Sequence, residues 1–240
     1  MSGAPAAQVP ALILAAGRGE RMRPLTDRTP KPLLPVYGKP LIVWQLEALA
    51  RAGVSRVVIN TAWLEEQFEP VLGDGSRFGL AIGYSMEGRE HGGALETAGG
   101  IANALPLLQS DTFWVVAGDV HAPDFGFEAA HVSDFTTAGD LAHLWLVPNP
   151  PQHPLGDFGL SPEGRVLATN EPGVITRYTY STIALFQSAL VAGLGRGEKA
   201  RLKPRLDAAI AQNRIGGSLY AGRWADVGTP QRWEELQHRK

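Results

Sequence analysis

The chain has 240 residues, of which 44% are hydrophobic and 19% charged, and its formal net charge at pH 7 is −2. This composition is typical of a globular protein and argues against general nucleic-acid binding, which usually needs a basic surplus. The absence of cysteine excludes disulfide bonds, thiolate catalysis and cysteine-ligated metals.

The first residues predict neither export nor membrane insertion. The start of the chain lacks the basic region and long apolar core of a secretory signal, and residues 1–8 are predicted to be a disordered lead-in. No apolar run reaches the roughly 18 residues that a membrane span needs. We therefore expect a cytoplasmic protein with no membrane contact and no nucleic-acid partner.

Between residues 9 and 147, apolar runs of strand length alternate with segments of helical spacing. This alternation is typical of an α/β fold with a Rossmann-like, mostly parallel sheet flanked by helices. Ligands of such sheets bind at the carboxyl ends of the strands. Strands are predicted at residues 9–16, 56–60, 81–86, 112–117 and 141–147, and helices at residues 41–51, 64–72 and 95–107.

From residue 148 the chain is rich in proline and its predicted strands pair as hairpins. No internal repeat or flexible linker divides it, so we predict one domain over 9–240, with a first half at 9–147 and a small β-rich second half at 148–240. The second half is predicted to hold a hairpin at 158–169, a strand at 177–186, a helix at 202–212, strand material at 215–225 and a helix at 230–238.

The loop over residues 17–39 concentrates positive charge. Six basic residues face only Glu20 and Asp27, a local surplus of four in a chain whose total is negative. Glycine backbone can approach phosphates closely and cations neutralise them, so the loop predicts a phosphorylated small molecule as ligand. Met22 excludes the dinucleotide fingerprint and Glu20-Arg21 excludes a Walker A loop. The six basic residues are Arg18, Arg21, Arg23, Arg28, Lys31 and Lys39.

Two carboxylates, Asp119 and Asp226, each follow a predicted strand. If both face the phosphate-binding crevice, they can hold Mg²⁺, which favours one or two carboxylates together with substrate oxygens. Capping of the following turn is the alternative, and the spacing leaves both open. The six histidines show no zinc-site spacing, and no serine-hydrolase elbow is present.

The stretch LAAGRGERMRPLTDRTPKPLLPV resembles the signature of the sugar-1-phosphate nucleotidyltransferases. Gly118-Asp119 and Asp226-Val227-Gly228 resemble the two metal-binding motifs of that family, and the similarity covers nearly the whole chain. Features such as ERMRPLT, INTAW and GDGSRFGL are most similar to a uridylyltransferase branch that acts in peptidoglycan recycling. Guanylyl, thymidylyl or uridylyl transfer to mannose or glucose 1-phosphate remains an alternative.

The resemblance implies a reaction and a set of roles. A sugar-1-phosphate oxygen attacks the α-phosphorus of a nucleoside triphosphate, with Mg²⁺, and pyrophosphate leaves. Residues 9–147 become the nucleotide-binding half and residues 148–240 the sugar-binding half. The implied catalytic residues are Arg21, Lys31, Asp119 and Asp226, the last two also holding the metal. The implied nucleotide-binding residues are Leu14, Ala15, Ala16, Gly17, Gly19, Glu20, Arg21, Lys31, Gly99 and Ala117, and the implied sugar-binding residues are Thr97, Asp157, Ser181 and Asp226.

Several positions depart from the family pattern, and they concern specificity. Residues 89–94 predict a longer loop beside the base and sugar pockets. Ala98 stands where the family usually has Gly, Ala117 where close relatives have Asn, and Thr182 where Gly is common. Residues 170–172 lack the lysine of the thymidylyl and guanylyl relatives. A catalytically silent sensor would be expected to lose Lys31 or a metal carboxylate, and a metal-dependent glycosyltransferase typically carries Asp-x-Asp where this chain has Asp119-Val120-His121. The oligomeric state stays open.

Overall fold

The fold is organised around β1 (Ala11–Leu14), a strand with a parallel neighbour on each side. We describe the protein from a computed structural model, which describes residues 8–168 and 176–238. Residues 1–7 of the predicted lead-in, residue 169 at the end of the predicted hairpin and the departure at residues 170–172 lie outside the described residues.

The described residues form thirteen strands and seven α-helices. After β1, the strands are β2 (Pro35–Val36), β3 (Lys39–Pro40), β4 (Arg56–Thr61), β5 (Ala81–Met86), β6 (Thr112–Ala117), β7 (Val120–His121), β8 (Ala142–Val147), β9 (Phe158–Leu160), β10 (Val166–Leu167), β11 (Arg177–Gln187), β12 (Ile215–Leu219) and β13 (Ala225–Asp226). The helices are α1 (Leu41–Arg51), α2 (Phe68–Leu72), α3 (Glu87–His91), α4 (Glu96–Leu108), α5 (Ala129–Ala138), α6 (Lys203–Ala211) and α7 (Pro230–His238).

Nine of these strands form one mixed sheet, as expected for a mostly parallel α/β protein. The order β5-β4-β1-β6 is parallel throughout, and β11 then pairs antiparallel with both β6 and β8, while β12 pairs parallel with β8. The amino-terminal part of β11 runs past β6 and pairs with the β9–β10 hairpin. This overhang is the small β-rich lobe, and it covers the carboxyl ends of the parallel strands.

Alternation along β1 divides its side chains between two cores, as the two-residue period of a strand requires. Ala11 and Ile13 pack with α1 on one face, whereas Leu12 packs with α4 and α6 on the other. A third, smaller cluster joins Met22 of the basic loop to Val227 and to Leu236 of α7. The carboxyl-terminal helix therefore supports the glycine loop directly.

The structure departs from the predicted elements in several places, among them the short strands β2, β3 and β7, which were not predicted. Residues 87–91 form α3 where a loop is predicted, and residues 129–138 form α5, which the sequence interpretation missed. The predicted helix at 64–72 begins as a 3₁₀ turn, Glu65–Gln67, before α2. The predicted strand at 215–225 is divided into β12 and β13 by a turn. Among the described residues, no helix has the length and apolar character to cross a membrane.

A buried polar network lies beneath the carboxyl ends of β1 and β4. The Asn60 amide oxygen accepts a hydrogen bond from the Ala15 backbone N–H (2.9 Å), and its amide nitrogen donates to Glu87 Oε1 (2.7 Å). Glu87 Oε2 accepts from the Leu95 N–H (2.8 Å), so this fully buried carboxylate joins the glycine loop to the start of α4. Burial raises the pKa of the Glu87 carboxyl, and the bonds from Leu95 and Asn60 oppose that rise.

We predict that Gly100→Ala destabilises the protein by about 1–3 kcal/mol, the usual cost of overpacking. A Cβ at position 100 would lie 2.6 Å from Glu87 Oε1 and 2.7 Å from the Asn60 amide nitrogen, so the added methyl displaces the network. Gly83→Ala is the matched control, because nothing lies within 4 Å of a Cβ there. Urea unfolding of the two variants and the wild-type chain checks this, and a Gly100→Ala variant as stable as Gly83→Ala would contradict the packing described here.

Candidate active site

A cavity of about 680 Å³ opens where β1, β4 and β6 end. The chain leaves β1 for β4 on one side and later returns to β6 on the other, so the cavity lies at the topological switch point of the sheet. Among the predicted site residues, the cavity is lined by Leu14, Ala15, Ala16, Gly17, Gly19, Lys31, Ala117 and Asp119 and, from the expected sugar side, by Thr97 and Asp157. On the lobe side it is also lined by Phe158, Tyr180, Thr182, Lys199, Leu202, Lys203 and Leu206.

The conformation of the glycine loop depends on Gly19, a position that favours glycine. Gly19 has φ +66°, and a Cβ there would lie 2.9 Å from the Thr26 methyl, while the Thr26 hydroxyl donates to the Gly19 carbonyl (2.8 Å). At Gly17 a Cβ would meet nothing within 4 Å, so this glycine leaves open space at the cavity wall. Backbone N–H groups can therefore approach a ligand here.

The six basic side chains of the loop do not all face the ligand. Arg23 pairs with Asp27 (2.7 Å) and Lys39 with Glu47 (2.5 Å), so these two are neutralised locally. The Arg18 guanidinium lies over the Trp63 ring, 4.5 Å from its centroid. Arg21 is exposed and lines an adjoining hollow of about 360 Å³ with Arg18, Glu20, Lys31 and Gly228. Of the basic side chains predicted to bind phosphate, Lys31 and Arg21 therefore remain the main candidates.

The Lys31 ammonium forms an ion pair with the Asp119 carboxylate. The lysine side chain is 13% exposed and the aspartate 31%, so the pair lies in the cavity wall with one side open to solvent. The pair joins the basic loop to the end of β6 across 88 residues of sequence. A cation is thereby fixed beside the position where the resemblance places the phosphates.

Asp226 is brought next to Asp119 by the β7–β13 ribbon. Asp226 pairs with Val120, and the Val227 N–H donates to the Asp119 carbonyl (3.0 Å). Both Asp226 oxygens accept from one Arg232 guanidinium nitrogen (2.6 Å), and Oδ1 also accepts from Gln152 (2.8 Å). Asp226 does not line the large cavity itself. Within the described residues no cluster of three or more potential metal ligands occurs, so the protein offers only these two carboxylates here.

His121, on the same ribbon, is part of the packing beneath the site. It packs against the rings of Tyr37 and Trp44, with ring centroids 5.6 and 5.0 Å away, and its Nε2 is buried without a hydrogen-bond partner. Burial, followed by the nearby Arg223 charge, lowers the pKa of His121 to about 4. The imidazole is therefore neutral at pH 7, and its role is packing beneath the ribbon.

The predicted sugar-side carboxylate, Asp157, lines the cavity but is also used by the protein. Its Oδ1 bonds to His153 Nε2 (3.0 Å) and its Oδ2 accepts from the Tyr180 backbone N–H (2.8 Å). Each oxygen keeps a second lone pair that can accept from a hydroxyl. Burial and the Asp157 charge raise the pKa of the Tyr180 phenol, so Tyr180 remains a potential donor at neutral pH.

Besides Asp226, two predicted site residues line neither the cavity nor the adjoining hollow. Ser181 is fully buried, and its hydroxyl donates to the Trp145 carbonyl (2.7 Å), so the sugar-binding role expected for it is wrong in this geometry. Thr182, with φ +62°, occupies the cavity wall instead. Gly99 packs against the Glu198 carbonyl, and its N–H donates to the Ala200 carbonyl (3.1 Å), so it does not line the nucleotide cavity. Ala98 is buried in the core beside it and cannot set specificity by direct contact.

Sequence interpretation also missed several cavity residues. Asn60 is the last residue but one of β4, and a polar residue near the carboxyl end of a buried strand is a signal that could have identified it. Glu96, at φ +60°, and Lys199 and Lys203 had no comparable signal, because they come from a helix start and a lobe segment whose position depends on tertiary structure.

The chain is similar to known proteins over nearly its whole length. Residues 10–239 match the Nucleotidyl transferase family. The chain is 50% identical over 232 residues to the N-acetylmuramate alpha-1-phosphate uridylyltransferase of Neisseria meningitidis, covering 95% of this chain and 96% of that one. It is 34% identical to the mannose-1-phosphate guanylyltransferase of Mycobacterium tuberculosis over 93% of this chain, which spans 62% of that relative.

The fold has solved counterparts. A crystal structure from Bacillus anthracis, described as a glucose-1-phosphate thymidylyltransferase in complex with sucrose, superposes with a TM-score of 0.79. Its sequence identity is 22%, and the match covers 96% of this chain and 94% of that one, so it supports the α/β architecture alone. Together, the family match over nearly the whole chain and the half-identical relative show that this chain belongs to the nucleotidyl transferase family of sugar-1-phosphate nucleotidyltransferases.

Proposed function

We propose that this enzyme transfers a uridylyl group from UTP to N-acetylmuramic acid 1-phosphate, releasing pyrophosphate. The observation that supports this most is the single cavity, which has the glycine loop, Lys31 and Asp119 at one end and Asp157 in the β-rich lobe at the other. Such a cavity accommodates a nucleotide and a sugar phosphate side by side. The 50% identical N-acetylmuramate alpha-1-phosphate uridylyltransferase supports the choice of substrates.

The proposed chemistry is a direct displacement. An oxygen of the sugar 1-phosphate attacks the α-phosphorus of UTP, the bond to the bridging oxygen of the β-phosphate breaks, and pyrophosphate leaves with that oxygen. Two anions must approach each other, so catalysis requires positioned cations and no covalent nucleophile. Lys31 lies where it can contact the α-phosphate, and Arg21, in the adjoining hollow, can receive the departing pyrophosphate.

Asp119 and Asp226 would hold the Mg²⁺ that we propose for this site. Their chemistry fits that ion, because Mg²⁺ accepts one or two carboxylates and takes its other ligands from water and substrate phosphates. When bound, Mg²⁺ supplies positive charge to the phosphates. Lys31 and Arg232 neutralise the same two carboxylates in the structure described here.

The sugar side would bind hydroxyl groups through Asp157, Tyr180 and Thr97, which face the cavity. The nucleoside would lie against Leu14 and the backbone of residues 15–17. We further propose that the reaction takes place in the cytoplasm, as a step that recycles a peptidoglycan sugar. The second candidate, guanylyl transfer to mannose 1-phosphate, follows from the 34% identical relative.

We expect the fastest pyrophosphate release with UTP and N-acetylmuramic acid 1-phosphate. The panel should combine UTP, GTP, dTTP and CTP with this sugar phosphate and with the 1-phosphates of N-acetylglucosamine, mannose and glucose. Release confined to GTP and mannose 1-phosphate would replace the proposal by the second candidate. If no pair of substrates gave pyrophosphate, the enzyme proposal would be wrong and the catalytically silent sensor would replace it.

Lys31→Met should lower kcat by about 10²–10³-fold, the usual loss when one preorganised charge-stabilising group is removed. Lys39→Met is the matched control, because Lys39 pairs with Glu47 and does not line the cavity, and it should retain the wild-type rate. Circular dichroism verifies that both variants fold. Equal rates for the two variants would remove Lys31 from the proposed mechanism.

A further inference from the structure

Two further lysines, Lys199 and Lys203, line the lobe end of the cavity. Within the described residues the Lys199 ammonium has no ion-pair partner, and Lys203 pairs with Asp207 on the exposed side of α6. An exposed pair of this spacing contributes little, so Lys203 can exchange Asp207 for a ligand at small cost. The cavity therefore offers positive charge beyond the group around Lys31.

The position of Lys203 separates it from the phosphate-binding loop. Its ammonium lies 5.4 Å from the centroid of the Phe158 ring, and Phe158 pairs with Tyr178 on the overhanging part of β11. Pairing of β11 with β6 starts only at Ile183, five residues later. Because β11 bulges here, its five steps from Thr179 to Ala184 lie against only three steps of β8, from Val147 to Leu144, and at about 3.3 Å per residue this part of β11 advances roughly 10 Å. The Lys203 ammonium can therefore contact a group of the sugar that lies away from its 1-phosphate.

Lys199 is held in place by the backbone beside it. The Ala200 N–H donates to the Leu95 carbonyl (3.0 Å), and the Ala200 carbonyl accepts from the N–H groups of Ala98 (2.9 Å) and Gly99 (3.1 Å). These three bonds fix residue 199 against the start of α4, where Glu96 and Thr97 enter the cavity. Gly99 permits this contact, because a Cβ there would lie 2.2 Å from the Glu198 carbonyl.

The cavity wall that carries the two lysines is partly apolar. Leu202 and Leu206 line the cavity there and are buried in the core behind it. Two carboxylates also lie in this wall: Asp157 bonds to His153 through Oδ1 and accepts from the Tyr180 N–H on Oδ2, and Glu96 is exposed at the start of α4, where solvent screens its charge. The wall thus combines two cations with a patch that accepts a methyl group.

We propose that Lys199 and Lys203 bind the carboxylate of the lactyl ether that distinguishes muramic acid from glucosamine, with its methyl group against Leu202 and Leu206. This inference rests on the proposed function and names the residues that select the sugar. A carboxylate between two ammonium groups is a charge-assisted contact, and a sugar without the lactyl group gains nothing from it. The two lysines are specificity residues and do not touch the reacting phosphorus.

The test is the selectivity of the Lys199→Met, Lys203→Met double variant, which keeps the apolar stems and removes both charges. For N-acetylmuramic acid 1-phosphate we expect KM to rise about tenfold or more, because a charge-assisted contact is lost. For N-acetylglucosamine 1-phosphate we expect no change, and kcat should stay constant for both. The Arg201→Met variant is the matched control, since Arg201 is exposed and does not line the cavity.

Calorimetric titration with UDP-N-acetylmuramic acid and UDP-N-acetylglucosamine gives the same comparison without turnover. The wild-type chain should bind the first more tightly, and the double variant should bind both equally. A loss that is equal for both sugars would assign the lysines to the common phosphate and overturn the proposal, as would unchanged selectivity. Failure of the wild-type chain to use N-acetylmuramic acid 1-phosphate at all would instead overturn the proposed function, and this inference with it.

Discussion

Two carboxylates at the ends of neighbouring strands, each neutralised by one cation, are the constraint on which this site depends. Asp119 and Asp226 are brought together by two short strands, and like charges so placed are unfavourable unless cations accompany them. Lys31 comes from the basic loop and Arg232 from α7. The two ion pairs therefore connect the amino-terminal loop and the carboxyl-terminal helix at this site. The small core cluster of Met22, Val227 and Leu236 fixes the same parts by packing.

These ion pairs are placed to change partners. Neither Lys31 nor Asp119 is fully buried, so the ammonium can exchange a carboxylate oxygen for a phosphate oxygen at the cavity wall without a large desolvation cost. The backbone around these ion pairs is held by buried hydrogen bonds and by a glycine turn. The Asn60–Glu87 network holds the Ala15 and Leu95 N–H groups from below, and Gly19 holds the loop in its turn. A rigid frame around exchangeable charges is what a reaction between two anions needs.

The parts of the site that sequence predicts well are those whose position follows from the strand they adjoin. The buried runs of β1, β4 and β6 predict the sheet, and residues that follow β1 and β6, such as Ala15 and Asp119, line the cavity at the carboxyl ends of these strands. The errors at Ser181 and Gly99 have a different cause. Both are adjacent to cavity residues in sequence, but a bulge in β11 turns Thr182 inward in place of Ser181, and the 198–200 segment covers Gly99.

Residues from the lobe could not be predicted in the same way. Lys199 and Lys203 reach the cavity because three backbone bonds and the start of α6 bring a distant segment over the sheet, and no local pattern encodes that. Arg232 is similar, since its pairing with Asp226 depends on how α7 packs against the loop. The sequence therefore predicts the carboxylate Asp226, but only the fold shows that Arg232 neutralises it.

The central claim is that the cavity brings two phosphate groups together for one direct displacement, with cations in place of a covalent nucleophile. The stereochemical course at phosphorus tests it most directly. With a single diastereomer of UTP bearing sulfur on the α-phosphorus, direct attack by the sugar phosphate predicts a nucleotide sugar with inverted configuration at that phosphorus, as resolved by ³¹P NMR. Retention of configuration would require two displacements through an enzyme-bound nucleotide and would contradict the account.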